Sequence, residues 1–277
     1  MKLLTLNTHS LMEEDYEKKC LIFAEEIVKI KPDIIALQEV NQGINSPPCP
    51  SPKMLGFIKG DNFIPIKADN HAIKIAKLLK ERGENYFFTW TGIKCGYEKF
   101  DEGLAIFSKI PFDKIKSFYI SRGTDYHNFR TRKALSVKIG NKIFCSVHTG
   151  WMGDTEEPFS YQLESLNRHL SPKRDENIFL MGDFNSPACE ENGGYSEILK
   201  SGWLDTYSLA KEKDEGATVF GKIDGWSDNT NKKRIDYIFS NHHIKVFSSK
   251  VIFDGKETEK VSDHCGVLIS IEGELYQ

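Results

Sequence analysis

"NIFLMGDFNSPA", residues 177–188, changes character halfway along. The apolar run from Ile178 to Met181 reads as a buried strand, and at Gly182 it gives way to Asp183, Phe184, Asn185, Ser186 and Pro187. Asp and Asn are poor strand formers, so a carboxylate and an amide at a strand's carboxyl end serve either as turn chemistry or as a catalytic pair. Taken alone, GDFNSP is equally a type I turn. The choice depends on whether other strands end the same way.

They do. Asn7 follows LLTL, Glu39 follows IIALQ, His148 follows IFCSV, Asp236 lies inside RIDYIF, and Asp263 and His264 stand just before GVLISI. Strand ends on one edge of a sheet sandwich converge, so these residues are expected to line one cleft with rigid strands behind them. The set offers carboxylates, amides and imidazoles but no thiolate, a donor chemistry that suits Mg²⁺ or Mn²⁺ better than Zn²⁺.

The hydrophobic period switches repeatedly between two and 3.6 along the chain. A strand at Lys2–Leu6 precedes a helix from about Tyr16, with Cys20, Phe23, Ala24, Ile27 and Ile30 on one face and Pro32 as its stop. DIIALQEV reads as a buried strand ending at Glu39, and the proline-rich stretch 41–52 as a loop without regular structure. Asp69 is placed to cap a second helix carrying Ala72, Ile75, Ala76 and Leu79, with Gly83 at its end. Strand-like runs at hairpin spacing follow: NYFFTWTGI, EGLAIFSK, FDKIKSFYI, RKALSVKI and KIFCSVHT. A third helix starts near Pro158 with Phe159, Leu163, Leu166 and Leu170 as its stripe, and a short one lies around Ile198. RIDYIF, IKVFSSKVIF and GVLISI close the chain. The fold class expected is α/β: a four-layer sandwich of two mixed β-sheets packed face to face with helices outside. No composition shift marks a linker, so residues 1–277 are read as one domain.

Composition narrows the partners. With 37 Lys and Arg against 40 Asp and Glu the formal charge is -3, so no global positive field attracts nucleic acid or an anionic membrane. The 6 cysteines are scattered with no C-x-x-C pair and read as free thiols of a reducing compartment. KLLTLN is too short for a signal peptide, and no run approaches the ~18 apolar residues of a membrane span. A cytoplasmic location and no membrane partner are expected.

The motifs LNTHS, LQEV, EGLAIFSK, VHTGW, GDFNSP, RIDYIF and SDHCG resemble, in order, those of the endonuclease/exonuclease/phosphatase superfamily, from residue 3 to about 271. The resemblance implies a four-layer α/β sandwich and metal-assisted hydrolysis of a phosphoester. It implies Glu39 as principal Mg²⁺ ligand with Asn7 beside it, and Asp183 as the base for the attacking water. It further implies that Asn185 holds a phosphate oxygen, and that His264, backed by Asp263, stabilises phosphoryl charge. Asp236 would orient a second imidazole, His148, and Arg132 in FRTRKAL would contact phosphate. Asp263, next to that histidine, joins Asn7 and Glu39 as the expected metal-binding set. The abasic-site endonucleases carry Asn where this chain has His148, which counts against that branch.

Other residues have plainer readings. His9, His71, His127, His169, His242 and His243 have no motif around them and read as surface or packing residues. NKKR at 231–234 reads as a solvated turn, and Asp236 on its own as a strand-end cap. Tyr97, Trp151 and Trp226 either line a substrate pocket or belong to the core.

Several activities remain open on this reading. A nuclease requires basic loops flanking the cleft, and the segment before EGLAIF carries acids as well as lysines. A sphingomyelinase requires a secretory signal or an apolar hairpin for the bilayer, and neither is visible. A scaffold would be expected to have lost catalytic residues, and none is missing. The strings LTLNTHS, IALQEVNQ, DGWSDN, VIFDGK and VSDH are similar to those of bacterial maltose 6'-phosphate phosphatases. A small sugar phosphate is therefore the expected substrate, with Trp151, Trp226 and Tyr97 against the sugar, and DNA is the alternative.

Overall fold

The computed structural model describes residues 1–171, 175–221 and 231–275. Two large mixed sheets stack face to face. The first has 8 strands, running Glu212–Lys213, Val246–Ile252, Gly266–Ile271, Lys2–Asn7, Ile34–Gln38, Phe100–Ser108 and Gln42–Gly43, with Phe87–Gly96 also on Phe100–Ser108. The second has 6: Leu204–Asp205, Asp236–Ser240, Asn177–Asp183, Lys142–His148, Lys133–Ile139 and Lys114–Tyr119. Each sheet carries a parallel pair near its middle, Lys2–Asn7 with Ile34–Gln38 and Lys142–His148 with Asn177–Asp183.

Those central strands are apolar on both faces, as strands covered on both sides must be. Leu3, Ile34, Ala36 and Ile106 meet Phe144, Phe179 and Met181 between the sheets. The alternate residues Leu4, Leu6, Ile35 and Leu37 face outward, under Phe23, Ala24 and Ile27 of the helix Tyr16–Ile30 and Ile75 of the helix His71–Glu81. On the far side Leu163 and Leu166 of the helix Phe159–Leu170 cover Cys145, Val147 and Leu180. The result is the four-layer α/β sandwich. Among the described residues no helix is long and apolar enough to cross a membrane.

Two local expectations change. Asn70, and not Asp69, caps the second helix, its side chain accepting from the Ala72 amide at 2.8 Å. Asp69 instead accepts from the Gly43 amide at 2.9 Å, pinning the loop opposite. That loop is not wholly irregular: Gln42–Gly43 pairs with Phe100 and Asp101, and Pro52–Leu55 forms a 3₁₀ turn. The third helix begins after Pro158 as its stripe predicts.

Candidate active site

The carboxyl ends of the two parallel pairs meet at one end of the sandwich. In register, Asn7 lies beside Gln38 and His148 beside Asp183. Gln38 Nε2 donates to Ser146 Oγ at 2.9 Å and Ser146 Oγ to the Leu37 carbonyl at 3.0 Å, tying the sheets together just behind the site. Gly182 lets the parallel strands Lys142–His148 and Asn177–Asp183 lie side by side, because a Cβ there would stand 1.9 Å from the Val147 carbonyl oxygen. Asn7 then joins the sheets at the surface of the site. Its Nδ2 donates to Glu39 Oε1 at 2.8 Å and to Asp183 Oδ2 at 3.1 Å, while its Oδ1 accepts from the His9 amide at 3.2 Å. As placed, Asn7 clamps the two carboxylates and turns its carbonyl away from them.

Asp183 is the hub. Its Oδ1 accepts the Asn185 amide at 2.8 Å, and its Oδ2 lies 3.6 Å from His148 Nε2 and 3.8 Å from His264 Nε2. Burial, and after it the negative charge of Asp236, pushes the Asp183 carboxyl up to about 7. Asp236 itself packs against His264, with Oδ2 3.0 Å from Nδ1. This corrects one expectation, since Asp236 orients His264 rather than His148, and narrows another: Asp263 supports the His264 cation through its charge, while the hydrogen bond comes from Asp236. Burial disfavours the imidazolium of His264, but Asp236 and Asp183 outweigh it and hold its pKa well above the ordinary value. His148 goes the other way: burial, then the positive charges of Arg132 and Lys94, keep it well below that value. The site therefore holds one charged and one neutral imidazole on either side of a carboxyl poised near neutrality, the arrangement expected of acid–base chemistry.

A cavity of about 240 Å³ opens over these groups, with Glu39, His148, Asp183, Asn185 and His264 at its floor. Asn7 and Asp236, each 1% exposed, sit behind it. Asn185 Nδ2 donates to the Thr149 carbonyl at 3.0 Å, which fixes the amide at the cavity edge. Arg132 and Trp151 form part of the wall. Arg132 is 2% exposed and has no carboxylate within 4.0 Å among the described residues, its Nη1 donating only to the Phe129 and Thr131 carbonyls. Among the described residues the buried Nε of Arg132 and Nε1 of Trp151 have no hydrogen-bond partner. Such donors, shielded from water and aimed at a cavity, call for an acceptor that arrives with a ligand. Tyr97 and Phe129 stand at the mouth, 40% and 52% exposed. Trp226, with Asp224, Asp228 and Asn229, falls outside the described residues.

Backbone strain collects here too. Glu39, Tyr97 and Asn185 adopt left-handed φ values of 50°, 51° and 46°, which non-glycine residues disfavour and which cluster at functional sites.

The donor set fits a hard divalent cation. Glu39 Oε2 is buried without a hydrogen-bond partner among the described residues, and burial, then the charges of Glu102 and Asp263, push this carboxyl up to about 7, the condition a bound cation would relieve. Asp263 faces a different neighbour from the one expected. Its Oδ1 lies 4.0 Å from His9 Nδ1, and its amide donates to Glu13 Oε1 at 3.1 Å. His9, Glu13 and Asp263 together form a cluster able to ligate a metal, and a second such cluster is Asp183, Asp236 and His264. His9, expected to be a bystander, thus belongs to the site margin. Lys94, Cys95, Gly96, Glu102 and Phe129 are the other lining residues that sequence reasoning passed over.

Comparison with known proteins agrees with this architecture. The model of the Endonuclease/Exonuclease/phosphatase family matches residues 5–264. No curated protein matches. Among solved structures, an endonuclease/exonuclease/phosphatase family protein from Leptotrichia buccalis C-1013-b is 32% identical, with TM-score 0.87 over 99% of this chain and 100% of that one. A mannosyl-6-phosphatase from Bacteroides thetaiotaomicron VPI-5482 shares the fold at 15% identity and TM-score 0.66, covering 99% and 100%. A 3' phosphatase from Neisseria, bound to a product DNA hairpin, does so at 15% identity and TM-score 0.63, also covering 99% and 100%. With these motifs, this sandwich and this match in hand, the chain belongs to the endonuclease/exonuclease/phosphatase family, whose members hydrolyse phosphoester bonds.

Proposed function

We propose that the protein is a Mg²⁺-dependent phosphomonoesterase that removes the phosphate from a small sugar phosphate, of which maltose 6'-phosphate is the model substrate. One observation carries this reading: the reactive groups lie at the floor of a half-open cavity with aromatic rings at its mouth. At about 240 Å³ the cavity is smaller than the roughly 300–1,000 Å³ of a site for a drug-sized molecule, so it takes the phosphorylated end of a small substrate. Tyr97, Phe129 and Trp151 offer flat apolar faces to a pyranose ring. A nuclease would instead need cations outside the cavity to grip a phosphate backbone. Arg130, which lies over the Phe129 ring at that mouth, is held by Asp154 at 2.7 Å and Glu156 at 3.3 Å.

The chemistry divides among the residues in place. Asp183, close to neutrality, orients water for in-line attack and accepts its proton. His264, kept cationic by Asp236, stabilises charge on the phosphoryl oxygens, and Arg132 offers its unpartnered Nε to another. Neutral His148 donates a hydrogen bond without placing a further cation beside Asp183. Glu39, with Asp263 at its margin and Asn7 holding it in place, would hold the Mg²⁺, which when bound neutralises phosphoryl charge and activates water. Mn²⁺ satisfies the same oxygen donors. The test is phosphate release from sugar phosphates, nucleotides and plasmid DNA with Mg²⁺ or Mn²⁺. Release from sugar 6-phosphates that vanishes in Asp183→Asn supports the reading; cleavage of DNA with no sugar phosphate consumed replaces it with the nuclease alternative.

A further inference from the structure

The cavity has a second cation that no motif announces. Lys94 lines the wall at 6% exposure, and its Nζ lies 3.0 Å from Glu102 Oε1, with the two side chains 7% exposed each. Its position depends on an irregularity in the hairpin. Gly92 pairs with Gly103 but Lys94 with Glu102, so Ile93 is an extra residue and the strand bulges. Regular pairing would set Lys94 across from Asp101, a carboxylate already held by Lys67 Nζ at 2.6 Å. The bulge turns Ile93 into the core between the sheets and Lys94 into the cavity. β-Bulges next to active sites commonly re-aim one side chain in this way.

Lys94 and Arg132 are therefore two buried cations facing one cavity. Like charges brought together out of water repel, and a fold keeps them there at a loss unless something anionic comes between them. Glu102 neutralises one of the pair. Among the described residues Arg132 has no carboxylate partner within 4.0 Å and its Nε no hydrogen-bond partner. An ammonium carries three N–H groups, so its ion pair with Glu102, the one recorded among the described residues, leaves Lys94 donors for a ligand. The chemistry that answers two cations and an unfilled guanidinium N–H is a multiply charged oxyanion.

We propose that Lys94 binds a non-bridging oxygen of the substrate's phosphoryl group alongside Arg132, and that Glu102 is the residue positioning its ammonium. This rests on the phosphoester reading of the site, but its test does not require turnover. Lys94 presents ammonium N–H donors to the phosphoryl subsite, and the oxygens of a monoester dianion accept from them more strongly than those of a diester monoanion. The pair thus makes the site selective for terminal phosphates.

Inorganic phosphate is the probe, titrated calorimetrically into the purified full chain with Mg²⁺ present. Lys94→Met should weaken phosphate binding about tenfold or more, the scale of one charge-assisted hydrogen bond. That variant strands Glu102 as an uncompensated charge, so Lys94→Met/Glu102→Gln is measured beside it; the pair of neutral side chains keeps the fold in reach. Tenfold weaker binding in the double variant as well, with thermal unfolding near wild type, supports the proposal. Phosphate affinity restored to the wild-type value in the double variant overturns it, because the loss in the single variant then came from repulsion by Glu102. Absence of phosphate binding to the wild type also overturns it. If phosphate binds as described while no sugar phosphate is hydrolysed, the proposed substrate is wrong and the Lys94 site stands.

Discussion

Asp236→Asn isolates the charge that holds His264 in its cationic form. The carboxylate oxygen lies 3.0 Å from Nδ1 in a place where His264 is 4% and Asp236 1% exposed. Two charges at that distance interact by about 5 kcal/mol at an effective dielectric constant of about 20, and removing one partner of a buried pair typically costs about 3–5 kcal/mol. At about 1.4 kcal/mol per pH unit, the His264 pKa should fall by about 2 units or more. His264 acts as the cation, so the alkaline limb of kcat/KM against pH moves to lower pH. Asp236 also raises the Asp183 carboxyl by repulsion, so its loss lowers that group too and carries the acid limb the same way. The two limbs report the cluster as a whole, and the expected signature is a bell displaced to acid pH on both sides. At pH 8 the fall in kcat should reach about 100-fold or more, the scale of an electrostatic group at the phosphoryl oxygens. An assay of phosphate release between pH 5 and pH 9.5, with Tm followed in parallel, tests this. Unmoved limbs with lower activity throughout would refute the reasoning, since Asp236 would then act by packing alone.

Glu39→Gln should abolish the Tm rise produced by Mg²⁺ and raise the Mg²⁺ needed for half-maximal activity. In EDTA it should leave Tm unchanged or higher at pH 8. The sign follows from a folded-state carboxyl raised to about 7 from 4.5: ionisation of the wild-type group destabilises the metal-free fold increasingly as pH climbs from 4.5 to 7 and fully above it. A variant less stable than wild type at pH 8 without metal contradicts this, and calorimetric melts decide it. Tyr97→Ala/Phe129→Ala should reduce kcat/KM for a disaccharide 6-phosphate and leave a small aryl phosphate within about twofold, because the rings stand at the mouth and not at the floor. Equal losses on both substrates would place the rings in the chemistry instead. Gly182→Ala should destabilise by about 3 kcal/mol or more, read from urea denaturation, since its Cβ would meet the Val147 carbonyl at 1.9 Å. A stable, active variant would show that the central parallel pair can separate.

The sequence spoke most clearly where burial and chemistry conflict. Asn7, Glu39, His148 and Asp183 each interrupt an apolar run, and a polar side chain at the end of a buried strand needs a reason that geometry then supplies. The sandwich was legible for the same cause, because strands covered on both faces stay apolar at successive positions. What stayed hidden depends on partners distant in the chain. Asp236 pairs with His264, 28 residues on, and nothing local distinguishes that from contact with His148. Lys94 lies one residue past the NYFFTWTGI run and drew no reading, since a bulge leaves no mark in an alternating pattern; only pairing with Phe100–Ser108 discloses it. His9 was passed over because a histidine without a motif is usually surface, yet its left-handed backbone carries it to Glu13 and Asp263. The Asp69 and Asn70 exchange is a matter of one residue: both side chains can cap a helix, and tertiary contact with Gly43 takes the first.

The central claim is that this cavity selects the phosphorylated end of a small sugar and not a nucleic-acid strand. It is tested most directly by kcat/KM measured side by side, in Mg²⁺, for a disaccharide 6-phosphate and a 3'-phosphorylated DNA oligonucleotide. The account expects the sugar phosphate to be favoured by about 100-fold or more, the advantage expected when binding energy at the aromatic mouth is realised in the transition state. A ratio near one, or a preference for the oligonucleotide, would contradict it.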